Sequence, residues 1–387
     1  MKKYLLRCCC MLAAFAFAAC GGDDDVVDPP VTPPAVPEQP VTPDSGDPKK
    51  FAKGADVSWY TEMKADGLSF RDAEGTATEL PQLLAQMGMN SVRLRVWVNP
   101  LSGYCNEADV VEKALAASRA GLEVMVDFHY SDFFADPSRQ EKPNLWDGMT
   151  LEELKVAVDQ HTRSVLTALK QKSVVPMWVQ VGNETRNGML WPEGQLWNNS
   201  GDLPNGWQQY AALSNAGYDA AKAIFPNTCV LVHLNNAWSD NDWWFKKFKA
   251  AGGKFDMIGL SHYPQEAEED VWDSALNKTV HKKYTPEEAN TLAVTQLKKL
   301  ASAYGVRVMI SEVGVWQSDP AAGKKILADF IEKLRQTSNC AGIFYWEPQV
   351  YGNWKPSIYN DLGWNAYNKG AFTAAGSPSI ILDPFKE

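Results

Sequence analysis

The chain lacks a surplus of positive charge, and it lacks cysteines at the spacings of a metal site. It carries 37 lysines and arginines against 47 aspartates and glutamates, a formal net charge of −10. A surface of that sign repels nucleic-acid phosphates, so we expect no nucleic-acid partner. Beyond residue 20 only Cys105, Cys229 and Cys340 remain, and their spacing forms no metal-ligand pattern. We therefore predict no metal and no other cofactor, and interpret these cysteines as buried thiols, with one disulfide among them left open.

The first twenty residues lack an apolar run long enough to cross a bilayer. Met1–Cys20 joins a basic start to a short apolar run and small residues, which is typical of a secretory signal peptide. Its end, Phe-Ala-Ala-Cys, resembles the lipobox of bacterial lipoproteins. We expect Cys20 to be the lipidated first residue of the mature protein. The alternative is a plain signal peptide that is cleaved after an Ala-x-Ala sequence.

The next segment lacks aromatic residues and any apolar periodicity. Residues 21–50 hold eight prolines, and a chain of that composition stays extended because it cannot bury enough apolar surface to fold. It suits a tether that holds residues 51–387 away from a membrane, with the lipid as the membrane contact. We expect an outer-membrane lipoprotein that faces outward from the cell, with a periplasmic or secreted location as the alternative.

Residues 51–387 alternate between short apolar runs and amphipathic helical stretches. The runs are mostly continuous, as in parallel strands that are covered on both faces. Eight such units in one domain predict an α/β fold of the (β/α)8 barrel type. A doubly wound open sheet is the alternative, although no glycine-rich phosphate loop follows any strand. The predicted strands are Gly54–Ser58, Ser91–Trp97, Glu123–His129, Met177–Val181, Cys229–Leu234, Met257–Tyr263, Arg307–Glu312 and Gly342–Glu347.

Two of the predicted strands deliver a glutamate at their ends, Glu184 after the fourth and Glu312 in the seventh. Active residues of a barrel lie at the carboxyl ends of its strands, and paired carboxyl groups are the apparatus of glycoside hydrolysis. We assign Glu184 as the acid/base, with a raised pKa, and Glu312 as the ionised nucleophile. Arg95 is predicted to keep Glu312 ionised. Tyr263 is predicted to orient Glu312, and Asn183 to bind the sugar 2-hydroxyl.

Aromatic side chains near the strand ends are candidate platforms for sugar rings. Trp59, Trp97, Trp316 and Trp346 occupy such positions, and Glu347 next to Trp346 suggests a wall of the cleft. His129 and His262 also fall at strand ends. With no third ligand at a suitable spacing, we expect these histidines to form hydrogen bonds rather than bind a metal.

Five segments resemble glycoside hydrolase family 53, whose members are endo-β-1,4-galactanases. These segments are GADVSWY, GMNSVRLRVWVNP, DFHYSDFFADPSRQEKPNLW, VQVGNETRNGMLWP and IGLSHYP, and they fall within residues 54–354. The resemblance implies the same roles for Glu184 and Glu312, a retaining cut within galactan or type I arabinogalactan, and a sugar-binding cleft that includes residues 127–130. The predicted substrate-binding set is Asp56, Trp59, Asp127, Phe128, His129, Tyr130, His262, Trp316, Trp346 and Glu347.

The sequence departs from the family pattern in two places. The seventh strand ends in SEVGVW, without the Thr-Gly and aromatic residue that commonly follow the glutamate, and we expect Trp316 to supply that aromatic surface. The Asp-x-Asp-x-His-x-Asn run through which some family members bind calcium is missing. No structural calcium is therefore predicted.

Two other functions remain open at this stage. A surface lipoprotein can capture glycans without cutting them, and a glycosidase of the same clan can act on another β-1,4-glycan. Both carboxylates are present, as are Asn183, Arg95 and Tyr263, so the sequence carries no sign of lost catalysis. We expect a monomer whose partner is a polysaccharide.

Overall fold

The computed structural model describes residues 50–274 and 276–386. The predicted signal peptide, including Cys20, and all of the predicted tether except Lys50 lie outside the described residues. Within the described ranges, no helix combines the length and the apolar character that a membrane crossing requires. The described residues correspond to the predicted catalytic domain.

Eight parallel strands close into one barrel in which each strand is hydrogen-bonded to its neighbours in chain order. The barrel strands are β1 (Ala52–Asp56), β2 (Ser91–Val96), β3 (Glu123–Phe128), β4 (Trp178–Val181), β5 (Cys229–Leu234), β6 (Met257–His262), β7 (Arg307–Val313) and β8 (Cys340–Trp346). Strand β1 pairs with β8, so the main sheet has no free edge. The predicted (β/α)8 barrel is confirmed, and the doubly wound alternative is wrong.

The helices form a layer around the barrel, as eight β-then-α units require. They are α1 (Tyr60–Ala65), α2 (Leu80–Gln86), α3 (Glu107–Arg119), α4 (Leu151–Gln171), α5 (Gly206–Ile224), α6 (Asp242–Ala250), α7 (Pro286–Tyr304), α8 (Pro320–Arg335) and α9 (Ile358–Asp361). Helices α4 and α7 begin with capping boxes, Thr150 with Glu153 and Thr285 with Glu288. These reciprocal hydrogen bonds satisfy amide groups that the first turn leaves unpaired.

Side chains alternate between the barrel interior and the helical layer. In β3, Val124, Val126 and Phe128 belong to the main hydrophobic core, whereas Met125 lies in a separate interior cluster. That cluster is made of Ala52, Met125, Met177, Trp178, Leu231, Met257, Met309, Ala341 and Phe344. Further along the strands the interior positions become polar. The apolar cluster therefore closes one end of the barrel, and polar side chains fill the other end, where the strands lead into the loops that precede the helices.

An antiparallel hairpin, Glu268–Asp273 with Lys278–Lys283, follows the sixth barrel strand and was not among the strands predicted from the sequence. Opposite charges face each other across it. Lys283 Nζ lies 3.2 Å from Glu268, and His281 Nδ1 lies 3.0 Å from Asp270. Because nine of these twelve residues are polar, the sequence does not show the apolar alternation by which exposed strands are recognised.

Candidate active site

Glu184 and Glu312 come together at the carboxyl end of the barrel through local irregularities of the backbone. Glu184 follows β4 in the left-handed region, with φ 46°, and Gly182 before it has φ 78°. Such a conformation costs a non-glycine residue about 1–3 kcal/mol and is concentrated at functional sites. In β7 the register with β6 shifts between Ile310 and Glu312. A bulge of this kind re-aims a side chain, so Ser311 and Glu312 both reach the barrel interior.

The partly exposed Glu184 has the ionisation state of a general acid. Burial, together with the negative charge of Glu312, raises the pKa of the Glu184 carboxyl to about 8. A carboxyl group with that pKa is protonated at neutral pH and has a proton to donate.

Glu312 is the carboxylate that ionises first. It is 7% exposed. The Tyr263 hydroxyl donates to Glu312 Oε1 at 2.5 Å, and Arg93 Nη1 donates to Glu312 Oε2 at 3.3 Å. Burial raises the pKa of Glu312, whereas Arg93 and Tyr263 lower it. Among the residues that the structure describes, no Lys or Arg forms an ion pair with Glu184, so the proton shared by the pair resides on Glu184 and Glu312 carries the charge. The expected contact between Tyr263 and Glu312 is thus present.

Arg93 holds the base of the site together. The buried guanidinium donates to Asn183 Oδ1 at 2.7 Å, and it lies 2.7 Å from Asp56 Oδ2 and 2.8 Å from Asp127 Oδ2. Asp56 and Asp127 are fully buried and use their oxygens on Arg93 and its neighbours. Their prediction as direct sugar ligands is therefore wrong. They balance the charge of Arg93 beneath the site, where an unpaired cation would be costly.

Arg95 does not contact Glu312, so the predicted pairing of these two residues is wrong. Its Nη1 lies 2.9 Å from Glu347 Oε1, and its guanidinium is 5.2 Å from the Trp59 ring centroid and 4.7 Å from that of Phe134. Arg93 and Arg95 share one face of β2, but Arg95 turns toward β8. Glu347 is buried and also accepts from the Trp59 backbone at 3.2 Å. It supports the wall of the cleft from behind, so its prediction as a direct substrate contact is wrong.

Trp59 is not an open sugar platform, contrary to prediction. It is 1% exposed and is enclosed by other aromatic rings, including Trp346 at 5.5 Å and Trp354 at 5.8 Å. Trp97 is buried as well. Trp316 is 40% exposed, and Trp346 is half-buried. These two tryptophans keep the open surface that a stacking role requires, and their prediction as platforms stands as a prediction.

Three residues predicted in the sugar cleft point away from it. Phe128 and Tyr130 stack on each other with centroids 5.5 Å apart, and the Tyr130 hydroxyl lies 2.8 Å from Thr162 of α4. His262 Nε2 lies 2.9 Å from Asn290 Oδ1 of α7. All three side chains are buried. Their substrate-binding assignment is wrong, because alternation along β3 and β6 turns these positions toward the helices.

His129 and Asn183 do reach the site, where both are hydrogen-bonded. The Ala135 amide donates to His129 Nδ1 at 3.0 Å, so the Nε2 proton of the neutral ring points at Asp127, 3.0 Å away. Asn183 Nδ2 donates to the Ala135 carbonyl at 2.8 Å. Asn183 stands directly before Glu184, and its predicted contact with the sugar 2-hydroxyl remains a prediction.

Gln180, His233 and Ser261 belong to the site although the sequence motifs gave them no role in it. Each is buried in the barrel interior, and Gln180 Nε2 lies 2.6 Å from Asp127 and 3.0 Å from His233. Gln180 is two residues before Gly182, and Ser261 is two residues before Tyr263. The alternation that carries Asp127 and Tyr263 into the barrel is the signal that identifies them.

The cysteines and the candidate metal ligands are dispersed. Across residues 50–274 and 276–386, no three or more His, Cys, Asp or Glu side chains are grouped to hold a metal ion. Cys105, Cys229 and Cys340 are free thiols. Cys105 and Cys340 are buried, as predicted, whereas Cys229 is only half-buried, and the disulfide alternative is wrong.

A (β/α)8 barrel that presents a protonated glutamate after β4 and an ionised glutamate in β7 defines a glycoside hydrolase. The chain belongs to glycosyl hydrolase family 53, whose family model matches residues 52–380. This membership agrees with the resemblance drawn from the sequence segments.

Arabinogalactan endo-β-1,4-galactanases are among its relatives. The chain is 34% identical over 311 residues to an arabinogalactan endo-β-1,4-galactanase of Cellvibrio japonicus, with 77% of this chain and 80% of that protein covered. It is 31% identical over 328 residues to a probable arabinogalactan endo-β-1,4-galactanase A of Neosartorya fischeri, with 76% and 83% covered. A solved fungal β-1,4-galactanase superposes with a TM-score of 0.71 at 27% identity, covering 86% of this chain and 98% of that one.

Proposed function

We propose that the protein is an endo-acting, retaining β-1,4-galactanase that hydrolyses galactan or type I arabinogalactan. The observation that carries the proposal is the unequal pair of glutamates. Glu184 has a pKa near 8, whereas Glu312 is held by Arg93 and Tyr263. Membership of family 53 and the galactanase relatives support the choice of substrate.

The first step forms a covalent intermediate. A Glu312 oxygen attacks the anomeric carbon as the bond from that carbon to the leaving oxygen breaks, and Glu184 gives its proton to that oxygen. Arg93 and Tyr263 keep Glu312 charged and oriented before the attack. Burial makes Glu184 a ready donor at neutral pH. The leaving chain departs neutral, and the remaining galactosyl unit is esterified to Glu312.

The second step releases the sugar and regenerates both side chains. Glu184, now ionised, removes a proton from water, and the water oxygen attacks the anomeric carbon. The bond to Glu312 breaks and its carboxylate returns to Arg93 and Tyr263. Two inversions at one carbon retain the β configuration.

A binding protein without catalysis is the weaker candidate for the same fold. Such a protein has no need for two interacting glutamates, one of them protonated at neutral pH. Action on another β-1,4-glycan is the nearer alternative. Several xylanases share the barrel at about 15% identity or less, but likeness at that level concerns the fold alone.

We expect cleavage of β-1,4-galactan and arabinogalactan at rates roughly 100-fold or more above those on xylan or cellulose. The reason is that the orientation of a single sugar hydroxyl decides whether buried polar groups find a partner. Reducing-end release on the four substrates side by side measures the ratio. Chromatography of early products tests for internal cleavage. Equal or faster hydrolysis of the β-1,4-glucan or xylan contradicts the proposed substrate, and release of a single short product from the start contradicts endo action.

We also propose that the mature protein is a lipoprotein that is anchored to the outer membrane through Cys20 and faces outward. The lipobox-like Phe-Ala-Ala-Cys sequence and the proline-rich residues 21–50 support this proposal. An anchored enzyme on a tether of this length meets a polysaccharide that is too large to enter the cell.

Cys20→Ala should move the protein from the membrane fraction to the soluble fraction. Cys229→Ala is the matched control, because it removes a thiol of the barrel and leaves the lipobox intact. Detergent phase partition and fractionation measure the difference. If the Cys20 variant and the parent fractionate identically, the anchor is wrong. Protease shaving of intact cells tests the outward orientation separately.

A further inference from the structure

A buried histidine contacts the acid/base glutamate through its backbone. His233, in β5, is fully buried, and its Nδ1 accepts from the Glu184 amide at 3.3 Å. Its Nε2 lies 2.8 Å from the hydroxyl of Ser261 in β6. That hydroxyl also lowers the pKa of the Glu184 carboxyl, which places the two groups next to each other. The backbone amide of Glu184, the His233 ring, the Ser261 hydroxyl and the Glu184 carboxyl therefore form one cluster.

The donors around His233 fix which nitrogen carries its proton. A backbone amide only donates, so the Glu184 contact requires an unprotonated Nδ1. Gln180 Nε2, 3.0 Å from the same nitrogen, is a second donor. Its amide cannot be turned around, because Gln180 Oε1 accepts from Arg93 Nε at 3.2 Å. Burial lowers the pKa of His233 well below the ordinary value, so the ring is neutral and its proton is on Nε2.

Asn183 Oδ1 also lies 3.0 Å from His233 Nδ1 and is the competing partner for that nitrogen. This oxygen already accepts from Arg93 at 2.7 Å. A proton on Nδ1 would give Asn183 Oδ1 a second donor. It would also face the amide hydrogen of Glu184, which would then have no acceptor. The two donors aimed at Nδ1 therefore favour the Nε2 tautomer.

The tautomer of His233 decides the direction of the next hydrogen bond. With its proton on Nε2, His233 donates to Ser261 Oγ, and the Ser261 hydroxyl proton is left to point at Glu184. Resting on the proposed function, we propose that His233 and Ser261 are positioning residues that hold the Ser261 hydroxyl as a permanent donor to the Glu184 carboxylate. Neither residue touches the reacting atoms in this role.

This arrangement serves the second half of the reaction, in which Glu184 must be a base. A fixed donor stabilises the ionised carboxylate and lowers its pKa, so it opposes the rise caused by burial and by neighbouring acids. The charged and titratable groups around Glu184 are Glu312, Asp136, Arg93, Tyr263 and His233. Glu312 and Asp136 raise the pKa of Glu184, Arg93 lowers it, and Tyr263 and His233 are neutral. Ser261 is the hydroxyl among these contacts that can tune Glu184 without adding charge.

Ser261→Ala should raise the ionisation midpoint of Glu184 by about one pH unit, because the carboxylate loses a hydrogen bond. The midpoint is read in the full chain from the carboxyl ¹³C NMR signals of glutamate-labelled protein, with the Glu184 signal identified by its loss in Glu184→Gln. Ser311→Ala is the matched control. Ser311 is a buried interior serine of the neighbouring strand, and its hydroxyl has no hydrogen-bond partner among the described residues. Its removal should leave the midpoint in place, and thermal unfolding checks that both variants fold.

The titration needs no substrate, so it separates this inference from the proposed function. A raised midpoint with no galactan cleavage by the parent keeps the positioning role and overturns the function. An unchanged midpoint, a lowered midpoint, or an equal rise in Ser311→Ala overturns the positioning role. In an active parent, the high-pH limb of kcat/KM should move upward with the midpoint. His233→Ala should raise the midpoint in the parent but add nothing to Ser261→Ala, and additive shifts would contradict the relay.

Discussion

Glu312→Ala is expected to lose roughly 10⁴-fold or more in kcat on galactan and on an aryl galactooligosaccharide alike. The loss should not depend on the leaving group, because no covalent intermediate forms without the nucleophile. A loss of that size corresponds to about 5.4 kcal/mol of transition-state stabilisation. Initial rates on both substrates measure it. A loss of this size would identify Glu312 rather than Glu347 as the nucleophile. Glu347 is another glutamate at the same end of the barrel, but it is buried against Arg95 and has no access to substrate.

Azide identifies the position that Glu312 vacates. In Glu312→Ala, azide enters the space of the lost carboxylate and displaces the leaving group from the α face, while Glu184 still donates its proton. The product is the α-galactosyl azide, identified by NMR. Glu347→Gln is the comparison: it should be less stable, since the buried Arg95 guanidinium loses its carboxyl partner, and it should form no azide product. If Glu347→Gln or its alanine counterpart gave the α-azide instead, the nucleophile would have to be reassigned to β8.

The positions of Glu184 and Glu312 at one end of the barrel were predictable from sequence because the barrel rule ties function to strand ends. Each strand reads as an apolar run, and a carboxylate where such a run stops has no structural reason to be there. The backbone that aims these side chains was not predictable. Neither the left-handed conformation of Glu184 nor the register shift before Glu312 has a sequence signature. In particular, Glu184 is not a residue type that favours a positive φ.

The sequence alone could not decide whether Arg93 or Arg95 contacts Glu312. Both residues point into the barrel from β2, so alternation treats them alike. What separates them is the surroundings of each guanidinium. Arg93 meets Asp56, Asp127 and Glu312, whereas Arg95 meets Glu347 and three aromatic rings. These contacts depend on strands that are distant in the sequence, and only the closed barrel brings them together.

In contrast, the sequence was sufficient to predict the side-chain directions of the residues in and after β3 and β6 that were wrongly assigned to the sugar cleft. If Asp127 and Tyr263 face the interior, then Phe128 and His262 must face the helices, and Gln180 and Ser261 become the interior candidates. The resemblance to family 53 pointed to the correct segments, but a segment contributes alternate residues to opposite faces. The two-residue period of a strand, applied within each motif, is sufficient to correct the assignment.

Glu184→Ala is expected to have an effect that depends on the leaving group. On galactan the variant should lose about 10²–10⁴-fold in kcat/KM, because the departing sugar oxygen needs a proton. On an aryl galactooligosaccharide with an acidic phenol, the first step needs no proton and should be nearly intact. The second step should then be slow, because no base remains to activate water, and the glycosyl-enzyme should accumulate with a burst of phenol. Rapid-mixing measurement of that burst and the steady rate separates the two steps.

The pH profile and azide complete the test of Glu184. In the parent, kcat/KM on galactan should fall as the pH rises through about 8, because the acid loses its proton there. On the aryl substrate, kcat/KM of Glu184→Ala should not show this fall at high pH. Azide needs no base, so it should speed turnover of the variant by attacking the intermediate from the β face and releasing the β-galactosyl azide.

If both the Glu184 and the Glu312 variants kept more than about a tenth of the parent activity, a loss below about 1.4 kcal/mol, neither assignment would hold. If azide rescued Glu312→Ala to the β product and left Glu184→Ala unaffected, the two roles would be exchanged.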